Sequence, residues 1–263
     1  MTAHERTTAP PEFQSLMAAA SQVVGLGDEM VSKTPELKGA CPEEVYFQSL
    51  ALCSAERARE ILQAISLLCQ SGQCNAAVVL CRAIFEIAIT IGYIAQDPIV
   101  RSSLFGQYEI IRRKKYADAL ARHKQYKHLL DRREPNEVAL TDKLYLQWRS
   151  NFSDRSWSTA SFRDMASSIG LEAEYDVFYS YLCDAAHSNA RPLTNYVKPK
   201  IEAVELTSGT SWHELGPALA GGILYALYAL SVHEDVFKLG FQARIDELVG
   251  QLKADHGEGD ERR

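Results

Sequence analysis

The stretch Ala76-Ala77-Val78-Val79-Leu80-Cys81-Arg82-Ala83-Ile84-Phe85-Glu86-Ile87-Ala88-Ile89-Thr90-Ile91-Gly92-Tyr93-Ile94 is apolar on almost every side at helical spacing, yet it carries two opposite charges. A helix that is hydrophobic all round belongs at the centre of a bundle, not on its surface. Arg82 and Glu86 lie four residues apart, and Asn75, Thr90 and Tyr93 continue the same side. Side chains at that spacing are neighbours on a helix, so the rod carries one polar seam. Buried charge is tolerated only when it is paired and hydrogen-bonded. The spacing therefore predicts an interior, paired Arg82–Glu86 seam at the heart of an all-α, multi-helix bundle.

A chain of 263 residues can bury one sizeable core or two small ones. A net charge of -6 argues against wholesale wrapping of nucleic acid and against an anionic membrane surface, while leaving room for a local basic patch. The six cysteines include no Cys-x-x-Cys pair and lie mostly in apolar helical surroundings, as buried free thiols do in a reducing compartment. No basic segment followed by an apolar one opens the chain, so a cytoplasmic location is expected. Two segments are greasy enough to suggest a membrane. In the first, Arg82 and Glu86 would each cost about 2.5–3.5 kcal/mol in mid-bilayer. The second, Pro217–Val232, is shorter than the ~20 residues a span needs. Both read as core helices, with no membrane partner.

Residues 1–10 read as a flexible tail and 255–263 as a disordered, charged one, with a single α-helical domain over 11–254. Helices are expected from Pro11 to about Val31, from Pro42 to Ser71-Gly72, along the seam, and from Pro98 to about Leu130. Shorter ones cover Glu137–Arg149, Phe162–Ile169 and Leu171–His187. Ser211-Trp-His-Glu214 reads as a capping box that opens the greasy C-terminal helix, and Val204–Thr210 as a brief strand or crossover. The Pro98 helix is basic, which suits either a solvated face or a phosphate-facing surface.

Tyr175, Tyr179, Cys183 and His187 stack four apart, with Asp184 three before His187. That face can supply the polar partners a seam requires. A histidine beside Glu86 would gain basicity and could serve as acid or base near neutral pH. Equally, a histidine in a last helical turn caps free carbonyls, and an internal ion pair sets helix register. Glu86, Asp184 and His187 could offer three metal ligands, but no Glu-x-x-His or His-Glu-x-x-His motif is present, so no metal or other cofactor is expected. His4, His213, His233 and His256 read as surface or cap residues.

Arg122-His123-Lys-Gln-Tyr-Lys-His128 is similar to the arginine–histidine signature of HEPN-type ribonucleases, all-helical proteins of toxin–antitoxin and phage-defence systems. Three further stretches act together. They are Cys81-Arg82-Ala-Ile-Phe-Glu86 with Tyr93 and Asp97-Pro98, then Trp157-Ser-Thr-Ala-Ser-Phe-Arg163 through Gly170, then Tyr175 to His187. They resemble a bacterial family catalogued as domain of unknown function 5677, over roughly Leu50 to Pro192. That resemblance implies an all-helical cytosolic protein with no established activity, and it alone brings Arg163 among the site candidates. Arg82, Glu86 and His187 are the expected polar centre, with Trp157, Arg163, Tyr179 and Asp184 around it. The function expected is an interaction or small-ligand-binding module, with a protein, a small molecule or a second copy of the chain as partner. The other reading is a metal-independent, HEPN-like ribonuclease in which Arg122 and His128 act on RNA.

Overall fold

In chain order the helices are α1 (Gln14–Ser32), α2 (Pro42–Gln70), α3 (Cys74–Ala95), α4 (Pro98–Arg122), α5 (Pro135–Trp148) and α6 (Phe162–Ser168). They are followed by α7 (Glu172–Glu174), α8 (Ser180–Ala186), α9 (Leu215–Phe237) and α10 (Gln242–Gly257). This computed structural model describes residues 9–130, 134–152, 156–186, 197–199, 204–206 and 212–257, without the side chains of 197–199, 204–206 and 255–257. The fold is all-α. The one extended pairing among the described residues is a short antiparallel ribbon of β1 (Val197–Pro199) and β2 (Val204–Leu206).

Three helices make the centre: α2, α3 and α9 pack on one another, with α1 across α2 and α9 and α10 closing over α9 and α1. Proline at the first turn opens α2, α4 and α5, where its missing N–H costs nothing. The turn between α2 and α3 is short because Gly72 takes a φ of +70° at the end of α2. Alanines 51, 55 and 58 and then Leu62, Ile65 and Cys69 give α2 its buried face. On α3 the buried set is Cys74, Ala77, Val78, Cys81, Ile84, Phe85, Ala88, Ile89, Ile91, Gly92 and Ile94. By length and composition α3 and α9 could each cross a membrane, and 56% and 67% of their apolar windows are buried inside the fold.

The fourth helix is shorter than the sequence suggests. His123 adopts an extended backbone (φ -111°, ψ 105°), α4 stops at Arg122, and Lys124–Leu129 forms a separate 3-10 turn. At the C-terminal helix the expected capping box is not the start signal. α9 begins only at Leu215, with Glu214 at the N-cap position making no side-chain cap bond, and Ser211 lies outside the described residues. A capping box does form at Ser161: its Oγ accepts from the Asp164 amide (3.1 Å) while Asp164 accepts from the Ser161 amide (3.0 Å).

Small residues let the three central helices close. A Cβ on Gly221 would sit 2.8 Å from Cys81 Sγ, and one on Gly222 would meet Leu62 and Ile65 at 3.2 Å. Alanine at Gly221 gains up to about 1 kcal/mol of helix propensity but overpacks the α3–α9 contact, which typically costs about 1–3 kcal/mol. Gly221→Ala should therefore lower the thermal midpoint, and the same change in a Cys81→Ala background should lower it less or raise it. Equal effects in both backgrounds would show that α9 does not approach α3 at Cys81.

Candidate functional site

α3 shows solvent neither its charges alone nor its hydrocarbon alone. Its two flanks are covered by α2 and α9, and its polar stripe is met by the segment that runs from Trp157 through α6 to α8. Arg82 Nε donates to Glu86 Oε1 at 2.9 Å. Tyr179, reaching in from the turn before α8, donates its hydroxyl to the same Oε1 (3.2 Å) and accepts from Arg82 Nη2 (3.4 Å). The guanidinium also lies 5.4 Å from the Tyr179 ring centroid. The pairing expected from the sequence is present; the full burial is not. Arg82 keeps 23% and Glu86 42% of their side-chain exposure, because among the described residues the short helices α6 and α8 cover this stripe less completely than α2 and α9 cover the others.

Tyr179 is placed by aromatic packing. Its ring stacks on Tyr175 (4.9 Å between centroids) and on Phe85 (5.6 Å), with Phe162 at 5.3 Å. Phe162 is delivered by the capped start of α6. Residues Tyr175–Tyr179 form a π-helical turn, a local insertion that changes which residues of 172–186 face α3. Burial, then the Glu86 carboxylate, pushes the Tyr179 phenol up to about 12, with Arg82 opposing. The hydroxyl is therefore neutral at physiological pH and serves as a donor to Glu86, not as a phenolate. Among the described residues Glu86 Oε2 accepts no hydrogen bond. The site thus offers one carboxylate oxygen held firmly and a second left for something else.

The other candidates are distributed differently from the expectation. Arg163 is not at this centre: it forms a two-pronged pair with Asp176 (2.8 and 2.7 Å) and a further bond with Glu172 (2.7 Å) on an exposed surface. That acidic pair holds Arg163 above the usual arginine range, and Arg163 in turn holds the Asp176 carboxyl below the usual carboxylate range. Trp157 stands against Tyr93 (5.8 Å) and Phe105 (5.3 Å), farther along α3. Asp184 is half-buried on α8, and His187 lies outside the described residues. Arg122 and His128 are both exposed, but the break at His123 denies them a shared helix face. The basic face of α4 is also partly neutralised, Lys114 by Asp118 (2.8 Å) and Asp142 (3.0 Å) and Arg113 by Glu109 (3.2 Å). Among the described residues no group of three or more His, Cys, Asp or Glu is arranged to hold a metal ion.

A family model described as a family of unknown function (DUF5677) matches residues 48–203, more than half of the chain and the segment that contains the whole Arg82–Glu86–Tyr179 arrangement. No curated protein and no solved structure matches the chain.

One histidine departs from the sequence expectation. His233 is wholly buried, not a surface or cap residue, because α9 is covered along its length by α1, α2 and α3. Its Nε2 meets Thr34 Oγ1 at 2.9 Å, and its ring lies 4.8 Å from that of Phe237. Burial, opposed by Glu234, holds the imidazole down to about 4 from an ordinary 6.5. A neutral histidine with a lowered native pKa lends stability that is complete above the unfolded value and is lost as pH falls through the native one. Stability should therefore decline as pH drops from about 6.5 towards 4, and His233→Gln should flatten that decline in thermal melts across this window. An unchanged slope in the variant would show that His233 is not the group being protonated.

Proposed function

The chain belongs to the DUF5677 family, and we propose that it is a cytosolic binding module whose polar centre is Arg82, Glu86 and Tyr179. Asp184, half-buried on α8, extends that centre. The observation that carries this reading is the division of labour at Glu86. One oxygen is consumed by Arg82 and Tyr179, while the other is held in a set orientation and accepts no hydrogen bond among the described residues. A pair needed only for register would gain nothing from a phenol brought in from another element with an ordered aromatic stack behind it. Preorganised groups of this kind lower the cost of binding, because their own ordering is complete before the ligand arrives. The fitting ligand is a small molecule or a protein segment that donates an O–H or N–H to Glu86.

A metal-independent, HEPN-like ribonuclease acting as a toxin or defence effector is the second reading. The observation in its favour is the exposure of Arg122, His123, Lys124, Lys127 and His128 together. The helix is broken between Arg122 and His128, and among the described residues no hydrogen bond or ion pair holds either side chain for in-line chemistry, so the binding module is preferred.

A thermal-shift panel of small amines, alcohols and amides separates the two. A compound that raises the midpoint of the natural chain by about 2 °C or more, and not that of Glu86→Gln or Tyr179→Phe, is the expected result. A shift that survives both substitutions would move the site elsewhere. RNA incubated with the protein in the presence of a chelator should stay intact. Cleavage abolished by His128→Ala would replace the first reading with the second.

A further inference from the structure

Beyond Glu86 the polar stripe of α3 continues to Tyr93, and there it borders a separate cleft of about 620 Å³. Its walls come from four places: the end of α3 with Asp97, the first turns of α4 with Arg101 and Leu104, Asn151 and Phe152 after α5, and the loop Ser156–Ser161 with Trp157. That volume lies within the range of small-molecule sites, about 300–1,000 Å³.

Arg101 is unusually well held for an arginine that no carboxylate pairs. Its guanidinium carbon lies 3.7 Å from the Tyr93 ring centroid, a close cation–π stack. Nη1 donates to the Tyr93 carbonyl and to Gln96 Oε1 (2.8 Å). Among the described residues Nε and Nη2 make no hydrogen bond, and no Asp or Glu forms an ion pair with Arg101. The plane of the fork is therefore set while two of its nitrogens are left over. Asp97, one helical turn earlier and lining the same cleft, makes no side-chain hydrogen bond or ion pair among the described residues. It stands at the N-cap position of α4 yet makes no side-chain cap bond. The cleft thus presents a placed positive group and a negative group that do not satisfy each other. Between and beside them stand Trp157, Tyr93 and Phe152.

We propose that this cleft binds a small aromatic zwitterion, of the class of an aromatic α-amino acid. Arg101 takes the carboxylate, Asp97 takes the ammonium, and the ligand ring lies among Trp157, Tyr93 and Phe152. The charge pattern selects against the obvious competitors. A phosphate dianion would gain Arg101 but meet Asp97, and a plain amine would gain Asp97 but meet Arg101. Aliphatic zwitterions would satisfy both charges but forgo ring contacts of about 0.5–1.5 kcal/mol each. The proposal concerns different side chains and a different ligand from the Glu86 site, so either can fail while the other stands.

Isothermal titration calorimetry with L-phenylalanine as the probe tests it on the full chain. Saturable binding with a Kd of about 10 µM to 1 mM is expected for a ligand of this size. N-acetyl-L-phenylalanine, which lacks the ammonium, and L-phenylalaninamide, which lacks the carboxylate, should each bind about tenfold or more weakly, as loss of a charged hydrogen bond requires. L-alanine should not bind measurably. Asp97→Asn should reproduce the loss seen with the acetylated probe and Arg101→Gln the loss seen with the amide, while Arg244→Gln, whose arginine is already paired with Glu29, should bind as the natural chain does. No saturable binding of L-phenylalanine would overturn the proposal. So would blocked probes that bind as tightly as L-phenylalanine itself, a comparison that needs no variant to fold.

Discussion

Hydrocarbon can cover an apolar helix on any side except the one that carries its charges, and α3 carries Arg82, Glu86 and Tyr93 on one stripe. The two apolar flanks draw α2 and α9 into contact, and glycines 221 and 222 let α9 come close to both. The third side needs a neighbour that brings its own hydrogen-bonding groups. The segment from Trp157 to Ala186 provides them: Tyr179 at one end of the stripe and the Ser158 hydroxyl beside the Tyr93 hydroxyl (3.4 Å) at the other. Because this segment is short helices, loop and a π-helical turn instead of one long rod, it covers the stripe incompletely. Among the described residues it leaves Glu86 partly exposed and borders the Trp157 cleft.

Both sites lie on one rigid element. Tyr93 follows Glu86 by seven residues, which is roughly 10 Å along a helix rising 1.5 Å per residue. α6 starts at a fully formed capping box between them and supplies Phe162 to the Tyr179 stack, while the loop preceding the box supplies Trp157 to the cleft. Sites borne on packed helices hold their geometry better than sites on loops alone. Arg101 illustrates the point, with its guanidinium pinned to a ring and a carbonyl of α3 itself.

Much of this was legible in the chain because helical periodicity is a local signal. The all-α class, the central place of α3, the Arg82–Glu86 pairing and the nearness of Tyr179 all follow from residues three and four apart. What was not legible depends on neighbours that spacing does not reveal. The degree of burial of Arg82 and Glu86 is decided by what lies above them. His233 looked like a surface residue because nothing in α9 shows that α1 brings Thr34 to its ring. The Trp157 cleft combines four segments, and Arg101 reads as one more basic residue of α4 until Tyr93 is seen beneath it. Arg122 and His128 looked like one helical motif, and the extended backbone at His123 separates them.

The central claim is that the polar stripe of α3 is held open for contact and is not sealed for stability. A half-exposed pair of this kind is worth at most about 1 kcal/mol, whereas removing one partner of a buried pair costs about 3–5 kcal/mol. The most direct measurement is the unfolding free energy of Glu86→Ala against the natural chain by chemical denaturation at neutral pH. The account predicts a loss of about 1 kcal/mol or less; a loss of about 3–5 kcal/mol would contradict it and make the Arg82–Glu86 pair part of the core.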